Sequence, residues 1–394
     1  MDLAALLAPI SPEAFRADHW GQRPLHIPAG SGDKRLLDWP GLSALLAIAP
    51  QWTEGNLALI LNHRPILAEF FMDSIDTQAG PVRRADPAKV ETFLAMGASL
   101  VGNDVDAIAP PLRRVAAALG DAFAALANAN VYASFKGVQG FASHYDLHDV
   151  FAVQCEGRKT WRLYANRAEN PLAPLASGGP EAQAIIDAAK GPCTATIVMN
   201  PGDVLYLPRG VYHDALATAG PSLHVTFAVA PLTGTIVPKL LEAAALRDPL
   251  LRAYLPDGRA GGDALPEALA ALAGRLADII TSPGFLHDVI DAQRARAPRA
   301  HPVRLPAPPP LTSYARTDLP AEIRRSDAGA VLVTRRGQTP LATAFGMAEY
   351  VLSRPAFSAE ELAARFAHVP AAEQRAFIAL LVHERLFERY EAAL

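Results

Sequence analysis

The stretch that decides the fold is HYDLHDVFAVQCEGRKTWRLY, residues 144–164. It begins with four ionisable side chains, His144, Asp146, His148 and Asp149, and then continues into two short runs rich in Val, Phe, Trp and Leu. Burying the start of such a strand costs free energy unless a partner compensates the charged and polar groups. In an extended strand His144 and Asp146 point to the same face, so a metal ion bound between them would be such a partner.

A third candidate ligand lies in GDVLYLPRGVYHDAL, residues 202–216, where His213 follows a Pro-Arg-Gly turn. Two histidines and one carboxylate on one face of a β-scaffold form the facial set of non-haem Fe(II) oxygenases. The HExxH motif of zinc hydrolases does not occur in the sequence. Taken alone, His144 and Asp146 fit a surface turn with a salt bridge better, and His213 alone fits a histidine at a strand end. The combination favours a metal site.

The middle of the chain contains short β-type runs separated by turn signals. They are residues 130–135, 149–154, 159–164, 195–199, 203–208 and 223–229. Many short strands predict a β-sandwich or barrel, with a double-sheet jelly roll among the options. The pattern also predicts a tight hairpin over 153–160, a short strand near 24–30 and a helix over 111–128. Another helix begins with Ser11 as its N-cap.

The remainder of the chain turns helical. Amphipathic helices are predicted over 237–255, 263–280 and 282–297, followed by a Pro-rich linker at 297–310. The last eighty or so residues, with a capped helix at Ser358, are typical of a small α+β domain of winged-helix type. The whole chain is therefore expected to be of the α+β class.

Composition limits the kinds of function. The chain has 394 residues, a formal net charge of −4 and 19% charged residues, which indicate a globular protein without a broad basic field for nucleic acid. Two cysteines are too few for a disulfide framework, which favours the cytoplasm. The first residues lack the basic start of a signal peptide, and no apolar run reaches membrane-spanning length.

Two longer stretches resemble a known family. Residues 130–164 and 201–229, together with FRADHWGQRPLHI at 15–27, are similar to the JmjC ribosomal oxygenases, which are cupin-type Fe(II)- and 2-oxoglutarate-dependent protein hydroxylases. The resemblance implies a double-stranded β-helix (jelly-roll) catalytic domain over 1–234. It also implies a helical dimerisation region over 235–305 and a winged-helix-like domain over 306–394.

The resemblance also implies roles for individual residues. His144, Asp146 and His213 match the catalytic iron ligands, and Lys159 matches the basic residue that holds the distal carboxylate of 2-oxoglutarate. The other matches are the co-substrate residues Asn130, Tyr132 and Thr226, and the substrate residues Tyr132, His148 and His224. Without the family, Lys159 could be an exposed hairpin charge, Tyr132 a core aromatic residue and His224 a structural histidine.

Two departures from the family put the substrate in question. Ala228 stands where related proteins often have a serine that can touch substrate, and the loop at 134–137 reads SFKG instead of TPPG. The resemblance implies hydroxylation of an Arg or His side chain of a ribosomal protein, by a homodimer. The alternatives are the same chemistry on another peptide, N-methyl-lysine demethylation, a metal-binding cupin without oxygenase activity, and a DNA-binding regulator. The charge-balanced C-terminal helices favour a protein-contact module over direct nucleic-acid binding.

Overall fold

A computed structural model describes residues 1–30, 34–48, 51–61, 64–78, 80–135, 142–174, 179–217, 220–296, 312–326, 329–341 and 345–390. The chain divides into two compact units, Met1–Ala300 and His301–Leu394. The predicted Pro-rich linker at 297–310 and part of the SFKG loop lie outside the described residues.

The first unit combines helices that cover a sheet with the strands of a sandwich. Its helices are α1 (Leu3–Leu7), α2 (Pro12–Asp18), α3 (Trp39–Leu46), α4 (Pro87–Ala95), α5 (Pro110–Phe123), α6 (Gly179–Ala189), α7 (Ile236–Ala245), α8 (Ala264–Thr281) and α9 (Pro283–Arg296). Its first strands are β1 (Leu25–Ile27), β2 (Leu57–Leu61), β3 (Arg64–Pro65), β4 (Met72–Thr77), β5 (Gly80–Ala85) and β6 (Ser99–Gly102). The sandwich strands that follow are β7 (Ala125–Ser134), β8 (Asp149–Glu156), β9 (Lys159–Arg167), β10 (Cys193–Met199), β11 (Val204–Leu207), β12 (Val211–Leu216) and β13 (Ser222–Pro231).

Two antiparallel sheets form the jelly roll. The larger sheet has the strand order β1-β11-β8-β13-β7-β6-β2-β3, and the smaller has the order β10-β9-β12. Successive side chains point to opposite faces of a strand, so alternate residues of β13 and β8 belong to two different hydrophobic cores. Val225, Phe227 and Val153 pack beneath the N-terminal helices, whereas Val150 and Ala152 face the smaller sheet. The inward face of the sandwich is where polar side chains such as His224 and Thr226 lie.

The six predicted strand runs are confirmed, but one strand was missed and three local predictions need correction. Strand β12, which carries His213, was not predicted, because its sequence VYHDAL contains adjacent ionisable residues. The hairpin over 153–160 is wrong: β8 pairs with β11 and β13, while β9 pairs with β10 and β12. The turn at Gly157 instead passes the chain from one sheet to the other.

The predicted helix over 111–128 is also too long. Helix α5 ends at Phe123, and Ala124 adopts the left-handed conformation with a φ of 47°. Residues 125–128 already belong to β7, where Ala125 pairs with Pro231 and Asn128 pairs with Ala228. Pairing with a distant strand therefore overrides the helical propensity of these residues.

Helices α7, α8 and α9 follow the sandwich and confirm the predicted helical pattern, although α7 ends at Ala245 and not near 255. No single helix among the described residues is long and apolar enough to cross a membrane. In the part of the chain that the structure describes, α8 and α9 together have the length and composition of a membrane span, with a bend of 58° between them.

The second unit is a small α+β domain. Its strands are β14 (Ser313–Arg316), β15 (Ala321–Ser326), β16 (Gly329–Thr334), β17 (Gly337–Leu341), β18 (Ala356–Ser358) and β19 (Phe387–Tyr390), and its helices are α10 (Phe345–Leu352), α11 (Ala359–Arg365) and α12 (Ala371–His383). Ser358 caps α11 as predicted, because its Oγ accepts a hydrogen bond from the Glu361 N–H. The helices pack around a core that includes Leu362, Phe377 and Phe387.

Candidate metal centre

The structure brings the three predicted metal ligands together. The ligand atoms of His144, Asp146 and His213 all lie within 4.8 Å of one another, and Asp146 Oδ2 is 3.5 Å from His213 Nε2. A short β-bridge holds the two histidines together. The His144 N–H donates to the His213 carbonyl at 3.0 Å, and the His213 N–H donates to the His144 carbonyl at 2.8 Å. The two histidines are thus held side by side although they are far apart in sequence.

Hydrogen bonds also orient both imidazole rings. Nδ1 of His144 lies 2.9 Å from the Ala142 carbonyl, and Nδ1 of His213 lies 2.9 Å from the Val211 carbonyl. A carbonyl only accepts, so each Nδ1 must carry the proton, which leaves each Nε2 lone pair available to a metal. Burial, and then the neighbouring His144, lowers the pKa of His213 to about 4. His213 is therefore neutral near pH 7, as a metal ligand must be.

A buried carboxylate connects the strand segments that carry the ligands. Asp214, next to His213, accepts hydrogen bonds from Ser143 Oγ at 2.8 Å, Arg162 Nε at 2.7 Å and the Tyr164 hydroxyl at 2.5 Å. Ser143 directly precedes His144, so one carboxylate fixes the backbone beside both histidines. Burial opposes ionisation of Asp214, but the hydrogen bonds from Arg162, Tyr164 and Ser143 hold its pKa below the usual range.

The turn before His213 holds the backbone of the ligand Asp146. Gly210 has a φ of +85°, and its N–H donates to the Asp146 carbonyl at 3.0 Å. A Cβ at this position would lie only 2.1 Å from the Ala168 carbonyl oxygen. Only glycine fits this turn, which explains the glycine in the sequence motif before His213.

An inner cavity of about 270 Å³ extends from the three ligands into the sandwich. Every site residue predicted from the sequence lines it: Asn130, Tyr132, His144, Asp146, His148, Lys159, His213, His224 and Thr226. Because these residues come from β7, β9, β12, β13 and the segment before β8, only the folded sandwich brings them to one place.

Lys159 is a buried cation on the wall of this cavity. Its side chain is buried, with 7% of the residue exposed, and Nζ lies 3.5 Å from His224 Nδ1. Within the described residues it forms no ion pair with a carboxylate. Burial lowers its pKa from 10.5 to about 7. A bound carboxylate would supply the missing counter-charge, so Lys159 is not the exposed hairpin charge that its sequence position also allowed.

Four of the predicted residues form a polar strip on paired strands. Tyr132 lies opposite His224, and Asn130 lies opposite Thr226, in the β7–β13 register. The Tyr132 and His224 rings stack with centroids 4.9 Å apart. Burial, and then the nearby Asp146, raises the pKa of the Tyr132 hydroxyl, which hydrogen-bonds with Thr226 and Asn130. Tyr132 is therefore a neutral polar group that faces the cavity near pH 7.

The cavity also has walls that the sequence did not predict. They are Ser99, Leu100, Val101, Ser134, Val150, Trp161 and Ala215. Trp161 could have been found, because it lies two residues beyond Lys159 on the same strand face. Ser99 could not, because β6 reaches the cavity only through its pairing with β7. Ala228 is buried but is not among the residues that line this cavity.

The donor set fits the metal that the sequence motifs predict. Two imidazoles and one carboxylate on one side of a site suit Fe(II), and the other side faces the cavity with Lys159. The arrangement differs from structural zinc sites, which enclose the ion with four protein ligands. This geometry can therefore hold a metal ion that still has positions free for a small anion.

Comparison with known proteins shows which family and which folds this chain is similar to. Residues 110–235 match a family model described as a JmjC domain. The chain is 32% identical over 249 residues to ribosomal oxygenase 1 of Gallus gallus, an alignment that covers 61% of this chain and 38% of that protein. It is 29% identical over 263 residues to the bifunctional lysine-specific demethylase and histidyl-hydroxylase NO66 of Drosophila persimilis, covering 64% of this chain and 36% of the relative. The chain thus spans less than half the length of these relatives.

Solved structures resemble the whole fold. The X-ray structure of Escherichia coli ycfD superposes with a TM-score of 0.51 at 17% identity, covering 97% of this chain and 98% of that one. A structure of YcfD, a ribosomal oxygenase from the same organism, in complex with cobalt and 2-oxoglutarate has a TM-score of 0.50 at 17% identity, covering 97% and 99% of the two chains. Residues 110–235 of this chain are thus similar to the JmjC domain, the family that its motifs already resembled.

Proposed function

We propose that this chain is an Fe(II)- and 2-oxoglutarate-dependent oxygenase that hydroxylates an Arg or His side chain of a ribosomal protein. The observation that carries the proposal is the position of Lys159. A buried ammonium group without a carboxylate partner among the described residues lines the same small cavity as a His-His-Asp metal set. A dicarboxylate that binds the metal at one end and Lys159 at the other would satisfy both sites.

Iron, 2-oxoglutarate and dioxygen would together supply the oxidation of an unactivated C–H bond, with succinate and CO₂ as co-products. The protein's own part is to hold and orient. His144, Asp146 and His213 would hold the iron, with both Nδ1 protons directed away from it. Lys159 would bind the distal carboxylate of 2-oxoglutarate.

The remaining lining residues would orient ligands and keep water out. Thr226 and Asn130 lie beside the Tyr132 hydroxyl, and this polar group would donate to 2-oxoglutarate or the substrate. His224 would help to position the Lys159 ammonium, because its Nδ1 lies 3.5 Å from Nζ. His148, on the cavity wall, would contact the substrate.

The ribosomal substrate is supported by the names of the relatives, ribosomal oxygenase 1 and the ribosomal oxygenase YcfD. The protein would encounter such a substrate in the cytoplasm, the location that its low cysteine content also favours. We further propose that α7–α9 form a homodimer. Several apolar side chains in this region are exposed, namely Leu246, Leu250, Tyr254, Leu255, Leu269 and Leu286.

The test is succinate formation by the iron-loaded protein, with and without an extract of ribosomal proteins, beside His213→Ala. We expect turnover that rises with the extract and disappears in the variant. The modified residue would then be identified by mass spectrometry as a gain of one oxygen atom on Arg or His.

Other results would redirect or overturn the proposal. Loss of a methyl group from lysine would indicate demethylation, and stimulation by peptides other than ribosomal proteins would change the substrate. Absence of both turnover and 2-oxoglutarate binding would leave a metal-binding cupin without oxygenase activity.

A further inference from the structure

A second, larger cavity lies beside the inner one within the first unit. Its volume is about 820 Å³, and it is lined by the ends of β9 and β13, the turn before β12, and residues of α7 and α9. The two cavities share one wall residue, His148. Along the chain Asp146 lines the inner cavity and Leu147 lines the outer one, so the outer cavity adjoins the metal ligands.

The outer cavity is strongly cationic. Three arginines and one lysine line it: Arg167, Arg209, Lys239 and Arg296. The only carboxylate among its described lining residues is Asp149, which is buried and accepts a hydrogen bond from the Tyr206 hydroxyl. This concentration of positive charge contrasts with the chain's net charge of −4.

The protein compensates these cations only in part, through the electrostatic interaction of Arg167 with the buried Asp149 carboxylate. In the part of the chain that the structure describes, none of the four forms an ion pair with a carboxylate. The Arg167 guanidinium donates to the carbonyls of Gly21, Gln22 and Arg209, and Arg296 donates to the Ala230 carbonyl. Hydrogen bonds to neutral carbonyls hold these guanidinium groups in place without cancelling their charge. The cavity is therefore prepared for an anion.

The walls between the cations indicate what kind of anion fits. Leu147, Leu172, Leu232 and Ile236 supply apolar surface, as a pocket for a peptide side chain would. Trp20, the one Phe, Tyr or Trp residue in the described lining, is already stacked on Phe123 with ring centroids 3.7 Å apart. A single-stranded nucleic acid would need free aromatic faces and a long basic track, and the described walls of this cavity offer neither.

We propose that the substrate segment carries an Asp or Glu side chain near the residue that is hydroxylated, and that the outer cavity binds its carboxylate. This inference rests on the proposed function, because the inner cavity must receive the reacting side chain. It adds a specificity element: the acidic residue would anchor the peptide in the outer cavity and direct the neighbouring side chain past His148 towards the metal.

The experiment measures binding, so it does not depend on turnover. The full-length protein, loaded with manganese and 2-oxoglutarate without oxygen, is offered short synthetic peptides with a central Arg or His. Asp, Asn or Lys is scanned through the flanking positions. We expect Asp to bind about fivefold more tightly than Asn at one or two positions, which is the size of effect of one partly exposed charge pair.

Three variants locate the effect. Lys239→Glu, which reverses an exposed charge in the outer cavity, should abolish the preference for Asp, whereas Lys239→Arg should keep it. Arg158→Glu changes the net charge equally but lies beyond the opposite end of β8, and it should also keep the preference.

The inference is overturned if Asp binds no better than Asn at every position, if Lys is preferred, or if Lys239→Glu leaves the preference intact. It is also overturned if a short oligo(U) RNA displaces the Asp peptide more effectively than unlabelled peptide does, because that result would assign the cations to phosphate. Failure of succinate formation with intact Asp selection would instead count against the proposed oxygenase.

Discussion

At the scale of single residues, Lys159 connects the fold to the proposed chemistry. Burial of an ammonium group is unfavourable unless an anion or a proton loss compensates it, and the lowered pKa shows the cost. The side chain faces the cavity because it begins β9 on the same face as Trp161. We therefore expect a bound ligand, and not a side chain of the protein, to supply the counter-charge of Lys159.

Replacing Lys159 by Ala should raise the KM for 2-oxoglutarate about thirtyfold or more, because about 2 kcal/mol of charge-assisted binding is lost. Initial rates of succinate formation at varied 2-oxoglutarate measure this. Lys159→Arg should recover part of the affinity, and Arg158→Ala, next in sequence but exposed, should have no effect. An unchanged KM in Lys159→Ala would contradict the assignment.

Binding of 2-oxoglutarate should also take up a proton. The pKa of Lys159 is about 7 in the free protein, so the side chain loses its proton as the pH rises through that value. A bound dianion favours the charged form, and at a pH of about 8 we expect the complex to gain close to one proton. Calorimetry of the metal-loaded protein in two buffers of different ionisation enthalpy measures this uptake. Equal uptake by Lys159→Arg would show that another group is responsible.

At the scale of elements, the metal site depends on how β9, β12 and the segment before β8 are joined. Asp214 connects these segments by accepting hydrogen bonds from Ser143, Arg162 and Tyr164. Asp214→Asn keeps the shape of the side chain but removes its negative charge. The amide NH2 group cannot accept a hydrogen bond, so at least one of the three donors loses its acceptor. We expect a loss of about 2 kcal/mol in the free energy of unfolding and a metal affinity about tenfold weaker.

Urea unfolding and metal titration test this expectation for Asp214→Asn. The matched control is Asp187→Asn, whose carboxylate is exposed and pairs with Lys190. Because exposed pairs contribute little, the control should change stability by less than about 0.5 kcal/mol. Equal effects of the two substitutions would argue against a special role for Asp214.

The turn at Gly210 sets the position of Asp146. Gly210→Ala would combine backbone strain with a collision against the Ala168 carbonyl, so we expect a loss of more than about 3 kcal/mol in stability or a failure to bind metal. Gly80→Ala is the control, since Gly80 also has a positive φ but none of the described atoms would lie within 4 Å of its new Cβ. Strain alone should cost it about 1–2 kcal/mol. Similar losses in the two variants would show that the contact with Ala168 is unimportant.

At the scale of the whole molecule, the proposed dimer would form through the helical region after the sandwich. Leu246 is 68% exposed and Leu269 is 51% exposed, and a second copy of the chain would bury such apolar surface. Light scattering of the dilute protein should give twice the mass of one chain. The double substitution Leu246→Asp and Leu269→Asp should shift the mass towards one chain.

The control for the dimer is Leu67→Asp, which changes a residue that is 62% exposed but lies outside α7–α9. It should leave the mass unchanged. A single-chain mass for the unmodified protein would disprove the proposed dimer.

The sequence predicted much of the site because its polar residues interrupt otherwise apolar strand patterns. His144, Asp146 and Lys159 stand at strand starts, and the glycine turn marks His213. The sequence could not predict which strands pair. The turn at Gly157 suits a hairpin as well as a crossing between sheets, and the choice was made by the partners of β8 and β9 elsewhere in the chain.

The sequence by itself determined the types of the candidate ligand residues, the β-class of the sandwich and the helical region that follows, because these depend on residue chemistry and on local periodicity. Only the tertiary structure decided that Asp214 connects the ligand segments and that Lys159 lacks a carboxylate partner among the described residues. The outer cavity is the clearest case. Its four cations come from separate strands, turns and helices, so no sequence pattern contains them, and only packing of the chain concentrates their charge.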